Sequence, residues 1–88
     1  MFQQKVTVPN RLGIHARPAA LIVKKASAFR SEISIASGGE EVNAKSIMGV
    51  MTLAAGQGTE LLISGNGPDE QKAVRELCEL VSSGFGED

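Results

Sequence analysis

Residues 13–36, GIHARPAALIVKKASAFRSEISIA, change hydrophobic period midway, and that change decides the fold. From Ala19, apolar residues recur at three- and four-residue steps: Ala19, Ile22, Val23, Ala26 and Phe29. This spacing predicts a helix that buries one stripe. Arg17, Ala20, Leu21, Lys24 and Ser27 fall largely on its other side. Pro18 fits only a first helical turn, where its missing N–H has no helical partner to lose. The helix therefore starts close to His15 or Ala16. In SEISIA the period drops to two, with Ile33 and Ile35 inward, as in a strand.

Working outward, FQQKVTV alternates with Phe2, Val6 and Val8 on one face and ends at Pro9-Asn10, so it reads as a first strand. Gly38-Gly39 suits a tight hairpin turn, with Glu41 to Ala44 as the return strand. Ser46 can cap a short helix from Ile47 to Met51 or Leu53. ELLIS, from Glu60, is a further inward-facing strand, broken by GNGPD. A last helix begins near Asp69, with Ala73, Val74, Leu77, Leu80 and Val81 on one face, Cys78 at its edge and Gly84 as C-terminal cap. FGED reads as a short tail. The order β-α-β-β-α-β-α contains a split βαβ unit, in which another strand fits between the two ends. The expected fold is α+β: a two-layer sandwich of an antiparallel sheet with helices on one face, in a single domain over residues 1–88. Gln3, Lys5, Thr7, Glu32 and Ser34 would face water from the open side of the sheet.

Composition narrows the function classes. The net charge of -1 offers no basic stripe for nucleic acid. Trp and Tyr are absent, which removes the usual base-stacking platforms. A single cysteine, Cys78, precludes an intrachain disulfide and suits a reducing compartment. The N-terminal residues lack a signal-peptide pattern, and no apolar run approaches the ~20 residues of a membrane helix. A cytoplasmic protein, without membrane insertion and monomeric, is expected.

The only histidine, His15, stands just before the first helical turn. Backbone N–H groups point outward there and the helix dipole favours anions. A neutral imidazole at such a place can act as a nucleophile, and a phosphoryl group on its ring would meet the helix N-terminus directly. Arg17 can reach the same oxygens with its fork of donors. Gly13 permits close backbone approach, by a partner or within a turn. One histidine and one distant cysteine do not make a zinc site, so no metal or cofactor is expected. GQG and GNG lack the spacing of nucleotide loops and read as turns. In KSIMGVMTL, Ile47, Met48, Val50, Met51 and Leu53 are too many apolar residues for a short helix to bury, so some should form an exposed docking surface. Leu21 could join it, rimmed by Lys24 and Lys45. Phosphorylation of Ser46 would put about two negative charges into that surface.

LGIHARPAA (12–20) and VNAKSIMGVMTLAAGQGTEL (42–61) strongly resemble the active-site and regulatory segments of the HPr family, the histidine-containing phosphocarriers of the bacterial phosphotransferase system. The resemblance covers essentially the whole chain. It implies an open-faced sandwich with sheet order 1-4-2-3 and three helices on one side. It implies that His15 takes a phosphoryl group at Nδ1 from phosphorylated enzyme I, charged by phosphoenolpyruvate, and passes it to an enzyme IIA histidine. Arg17 would contact the phosphoryl group. Ser46 would be the target of an HPr kinase/phosphorylase, with a transcriptional regulator as a further partner. Ile47, Met48 and Met51, with Ala20, match the family's apolar docking patch. Leu12 stands where some sugar-branch members have a small polar residue, and the tail SSGFGED is similar to the nitrogen-related branch, whereas KSIMGVM resembles members under serine-kinase control. His15 sets the chain apart from paralogues that have lost the phosphorylatable histidine. A mainly regulatory binding module is the alternative to sugar transport.

Overall fold

Hydrophobic alternation and helical stripes assemble here into one sheet covered on one side. The computed structural model describes residues 1–87. The strands are β1 (Phe2–Thr7), β2 (Glu32–Ser37), β3 (Glu40–Asn43) and β4 (Glu60–Asn66). The helices are α1 (Ala16–Ser27), α2 (Ile47–Thr52) and α3 (Glu70–Ser82), followed by a 3-10 turn at Gly84–Gly86. The sheet runs β1-β4-β2-β3, all neighbours antiparallel. This is the expected order, with β4 filling the gap between β1 and β2. Gln4 and Ile35 both pair with Ile63 of β4, the central strand between β1 and β2.

Ile33, Ile35, Leu61 and Ile63 pack with Ile22 of α1 and with Val74, Leu77 and Val81 of α3 in one buried cluster. Burying such side chains contributes about 1.5–3 kcal/mol each relative to exposure. Gln3, Lys5, Thr7 and Glu32 are exposed, and Ser34 is partly so, as the open face requires.

Several boundaries differ from the sequence reading for local physical reasons. β3 begins one residue earlier and ends before Ala44, which is fully buried and donates its N–H to Ile33 O. β4 continues through Gly65 and Asn66, because their register opposite β1 and β2 persists past Ser64. α1 ends at Ser27, leaving Phe29 beyond it and, like Val23, only partly buried. In α3, Cys78 rather than Leu80 completes the buried face. Burial pushes the Cys78 thiol up to about 11, so it stays protonated and unreactive at neutral pH.

Asp69 precedes α3 but does not cap it with its side chain. Its carboxylate instead accepts hydrogen bonds from the Ser31 hydroxyl (2.6 Å) and from the Ser31 and Arg30 amides (both 3.0 Å). The connection between α1 and β2 is thereby tied to the start of α3. These bonds, the Ser31 hydroxyl first and the Arg30 amide next, lower the Asp69 pKa from 3.8 to about 2. The folded value lies below the unfolded one, so the linked stabilisation is fully present above pH 3.8 and is lost as pH falls towards 2. Asp69→Asn should therefore lower the urea midpoint at neutral pH. It should also flatten the loss of stability across that acid window, measured by urea titrations at stepped pH; an acid dependence as steep as that of the parent protein would exclude Asp69 as its source.

Candidate functional site

The start of α1 is set by a close backbone approach. Gly13 has φ +68°, and a Cβ there would lie 2.3 Å from Ala55 O. With no side chain in the way, the Ile14 N–H donates to that same oxygen at 2.8 Å. Gly13 is buried, so the approach it permits is to the chain's own 55–56 loop and not to a partner. His15 follows as N-cap residue of α1 in extended conformation, and its side chain does not cap the helix. Ala19 N–H bonds to His15 O, and Pro18 has no N–H. The amides of Ala16 and Arg17 are left to point out of the helix start, where an anion can meet them.

The imidazole is partly buried, and a second element reaches it. Its Nε2 lies 3.0 Å from both carboxylate oxygens of Glu87. Arg17 Nη1 donates to Phe85 O at 3.1 Å and to Glu87 Oε2 at 3.4 Å. Buried Asn10 donates through Nδ2 to Gly13 O at 2.8 Å and to Glu87 Oε1 at 3.1 Å. The bond with His15 is the main cause of a lowered Glu87 pKa; partial desolvation opposes it, and Asn10 and Arg17 reinforce it. The short tail expected from the sequence is thus part of the site. Gly84, Phe85 and Gly86 all have positive φ, and the Phe85 side chain is buried. A large apolar residue between two glycines, just past a helix cap, was the available signal for a tail that folds back. Asp88, the last residue of that tail, lies outside the described residues.

The second segment forms a surface beside α1. Ser46 is N-cap of α2, and its Oγ accepts the Gly49 N–H at 3.2 Å. Met48 is 76% exposed, with Ile47 and Met51 also exposed and Val50 fully buried. Ala20 and Lys24 are exposed on α1. Leu21 is half-buried and shares a shallow groove with Lys24, Lys25 and Leu80, on the flank of α1 facing α3. Its helical phase predicts a place beside the α2 residues, but the packing of α3 on this flank puts it next to Leu80. Lys45 is not a free rim charge: its Nζ donates to Phe29 O at 2.8 Å, closing the C-terminal end of α1. Leu12, 66% exposed and three residues before His15, adds an apolar side chain near the site. Among the described residues no cluster of His, Cys, Asp and Glu could hold a metal ion, and no helix is long and apolar enough to cross a membrane.

A surface depression of about 450 Å³ lies at Met1, Glu32, Ser34, Asn43 and Asn66, and neither His15 nor Arg17 lines it. The His15 and Arg17 side chains are 37% and 61% exposed, so the site lies open to another protein.

Comparison with known proteins places this geometry in context. The family model for the "PTS HPr component phosphorylation site" matches residues 2–83. The phosphocarrier protein HPr of Xylella fastidiosa is 48% identical over 88 residues, covering 100% of this chain and 99% of that protein. The HPr-like protein Crh of Bacillus subtilis is 48% identical over 81 residues, covering 92% of this chain and 95% of its own. A crystal structure of HPr from Thermoanaerobacter tengcongensis superposes with a TM-score of 0.95 at 44% identity, covering 100% of this chain and 99% of that one.

Removing the imidazole removes the principal cause of the Glu87 shift. In His15→Ala the Glu87 carboxyl should titrate at a higher pH than in the parent, as followed by its side-chain 13C resonance. An identical titration in both proteins would mean that the tail does not rest on His15 in solution.

Proposed function

Since the chain belongs to the HPr family of the phosphotransferase system, we propose that it carries a phosphoryl group on His15. The group comes from phosphorylated enzyme I, ultimately from phosphoenolpyruvate, and goes on to enzyme IIA for sugar uptake. The observation that carries this reading is the position of His15: partly exposed, at the N-cap of α1, with the Ala16 and Arg17 amides pointing outward. Charge that develops on the transferring group meets these amides and the positive end of the helix, which are preorganised before the partner arrives. Arg17 stands within reach as a donor to the same oxygens, once released from Phe85 O and Glu87. In-line transfer needs both histidines to face each other across an open surface, which suits a protein working in the cytoplasm as a covalent carrier and not as an enzyme with its own small-molecule substrate.

Partners dock on Ile47, Met48 and Met51 with Ala20 and Lys24, while Leu21 lies apart on the flank facing α3. Methionines give an adaptable apolar surface, and Lys24 favours an acidic counterpart.

A second reading, regulation through Ser46, is favoured by the place of that residue at the edge of this same surface. Its Oγ already serves as the acceptor for Gly49 N–H, so a phosphate is compatible with the local helix. The added charge would repel acidic partners of the carrier cycle and attract a different, basic one, such as a transcriptional regulator. The likeness to Crh, the Bacillus subtilis catabolite repression HPr, supports keeping this role beside carriage.

Intact-mass analysis after incubation with phosphoenolpyruvate, magnesium and enzyme I should find one acid-labile phosphate on the parent protein and none on His15→Ala. Phosphate persisting on the variant would remove His15 from the carrier role. Met48→Asp should leave stability within about 0.5 kcal/mol, as expected for an exposed position. It should weaken binding to enzyme I by about tenfold or more, judged by calorimetry, as an anchor in an interface core does. Undiminished binding would exclude α2 from the docking surface.

A further inference from the structure

A deprotonated carboxylate only accepts hydrogen bonds. The 3.0 Å contacts from His15 Nε2 to both oxygens of Glu87 therefore require a proton on Nε2. We infer that Glu87 is a positioning residue for phosphoryl carriage: it holds the ring proton on Nε2 and leaves the Nδ1 lone pair as the nucleophile. This rests on His15 being the carrier, and it adds what selects the nitrogen and orients the ring.

The tail is built to deliver this carboxylate. Phe85 is a non-glycine residue at φ +59°, a conformation unfavourable for a residue that carries a Cβ. Its buried side chain offsets that cost and anchors the turn, which the Glu87 N–H closes onto Gly84 O at 2.9 Å. Glu87 is then held from three places: His15 at the N-cap, Arg17 in the first turn of α1, and Asn10 from the loop after β1. Among the described residues, the charged groups at this place are Glu87, which contacts the ring, and Arg17, which contacts Glu87. Asn10 also holds Gly13 O, so one buried side chain fixes both the carboxylate and the backbone leading to His15. Fixing a histidine tautomer through its second nitrogen is a recurrent means of aiming the first.

The chemistry balances with no proton gained or lost. The Nδ1 lone pair of His15 forms a new N–P bond as the N–P bond of the donor phosphohistidine breaks, and that electron pair returns to the donor nitrogen. His15 keeps its Nε2 proton, so the phosphorylated ring is cationic and stays next to the anionic Glu87. On onward transfer the Nδ1–P bond breaks and the ring leaves as neutral imidazole, a far better leaving group than imidazolate.

The test is Glu87→Ala in 15N-labelled full-length protein. Long-range 1H–15N correlation of the His15 ring, above its titration range, should give the Nε2–H form in the parent and a rise in the Nδ1–H form in the variant. Onward transfer from the phosphorylated variant to enzyme IIA should slow on the order of tenfold, as for loss of an outer-shell partner of histidine. Unchanged ring 15N shifts in the variant would overturn the inference. So would slowed transfer with the parent's tautomer, which would make Glu87 a partner contact instead. The ring measurement needs no phosphoryl donor, so its failure is separate from a failure of carriage.

Discussion

The bond from Ile14 N–H to Ala55 O, 2.8 Å long and possible only because Gly13 lacks a Cβ, joins the two functional segments of the chain. It fixes where the loop after β1 stops and α1 begins, and so where His15 stands. It also pins the residues just after α2 to the N-terminal end of α1. At the other end, Lys45 reaches Phe29 O from the residues just before α2. The two helices therefore run antiparallel, with His15 and Ser46 at opposite ends. Twelve residues of α1 span about 18 Å, too far for a phosphate on Ser46 to touch one on His15. A partner whose footprint covers both ends would meet both groups. The exposed side chains of Ile47, Met48 and Met51 supply the ground between.

Two tethers of similar chemistry serve different purposes. Asp69 accepts three hydrogen bonds from Arg30 and Ser31 and lies away from His15; its role is to join α3 to the start of β2. Glu87 also accepts from several donors, but its partners are the imidazole and guanidinium that the proposed transfer uses. The first contributes to stability, the second to the setting of a nucleophile. A carrier must give up its phosphoryl group as readily as it receives it. A carboxylate on the far nitrogen meets that need, because it stabilises the ring cation without contacting the phosphoryl oxygens.

Much of this was legible in the sequence. The change from helical to alternating period across 13–36 set α1 and β2. Pro18 bounded the start of α1, Gly38-Gly39 marked the hairpin, and Ser46 marked the cap of α2; each is a local constraint that a few neighbouring residues enforce. The resemblance of 12–20 and 42–61 to the HPr family implied the sheet order, whereas His15, Arg17, Ser46 and the apolar residues of 47–53 stood out by themselves. The excess of apolar residues in 47–53 likewise foretold an exposed patch, since a six-residue helix has only one buried face.

What remained was decided by contacts between residues distant in the chain. Whether Lys45 is a rim charge or a helix-end donor depends on Phe29, sixteen residues away. Leu21 was grouped by helical phase with α2 but shares its groove with Leu80, because α3 packs on that flank. Cys78 rather than Leu80 lies on the buried face because it packs over β1, its thiol reaching Gln4 O. The tail is the clearest case: nothing local in FGED announces a ligand for the histidine 72 residues earlier. The sequence by itself determined the elements, the place of His15 and the family, since these follow from period, caps and motif. Only the tertiary structure decided what touches the imidazole, because a hydrogen bond between the two ends of a chain exists only once the sheet and helices have brought them together.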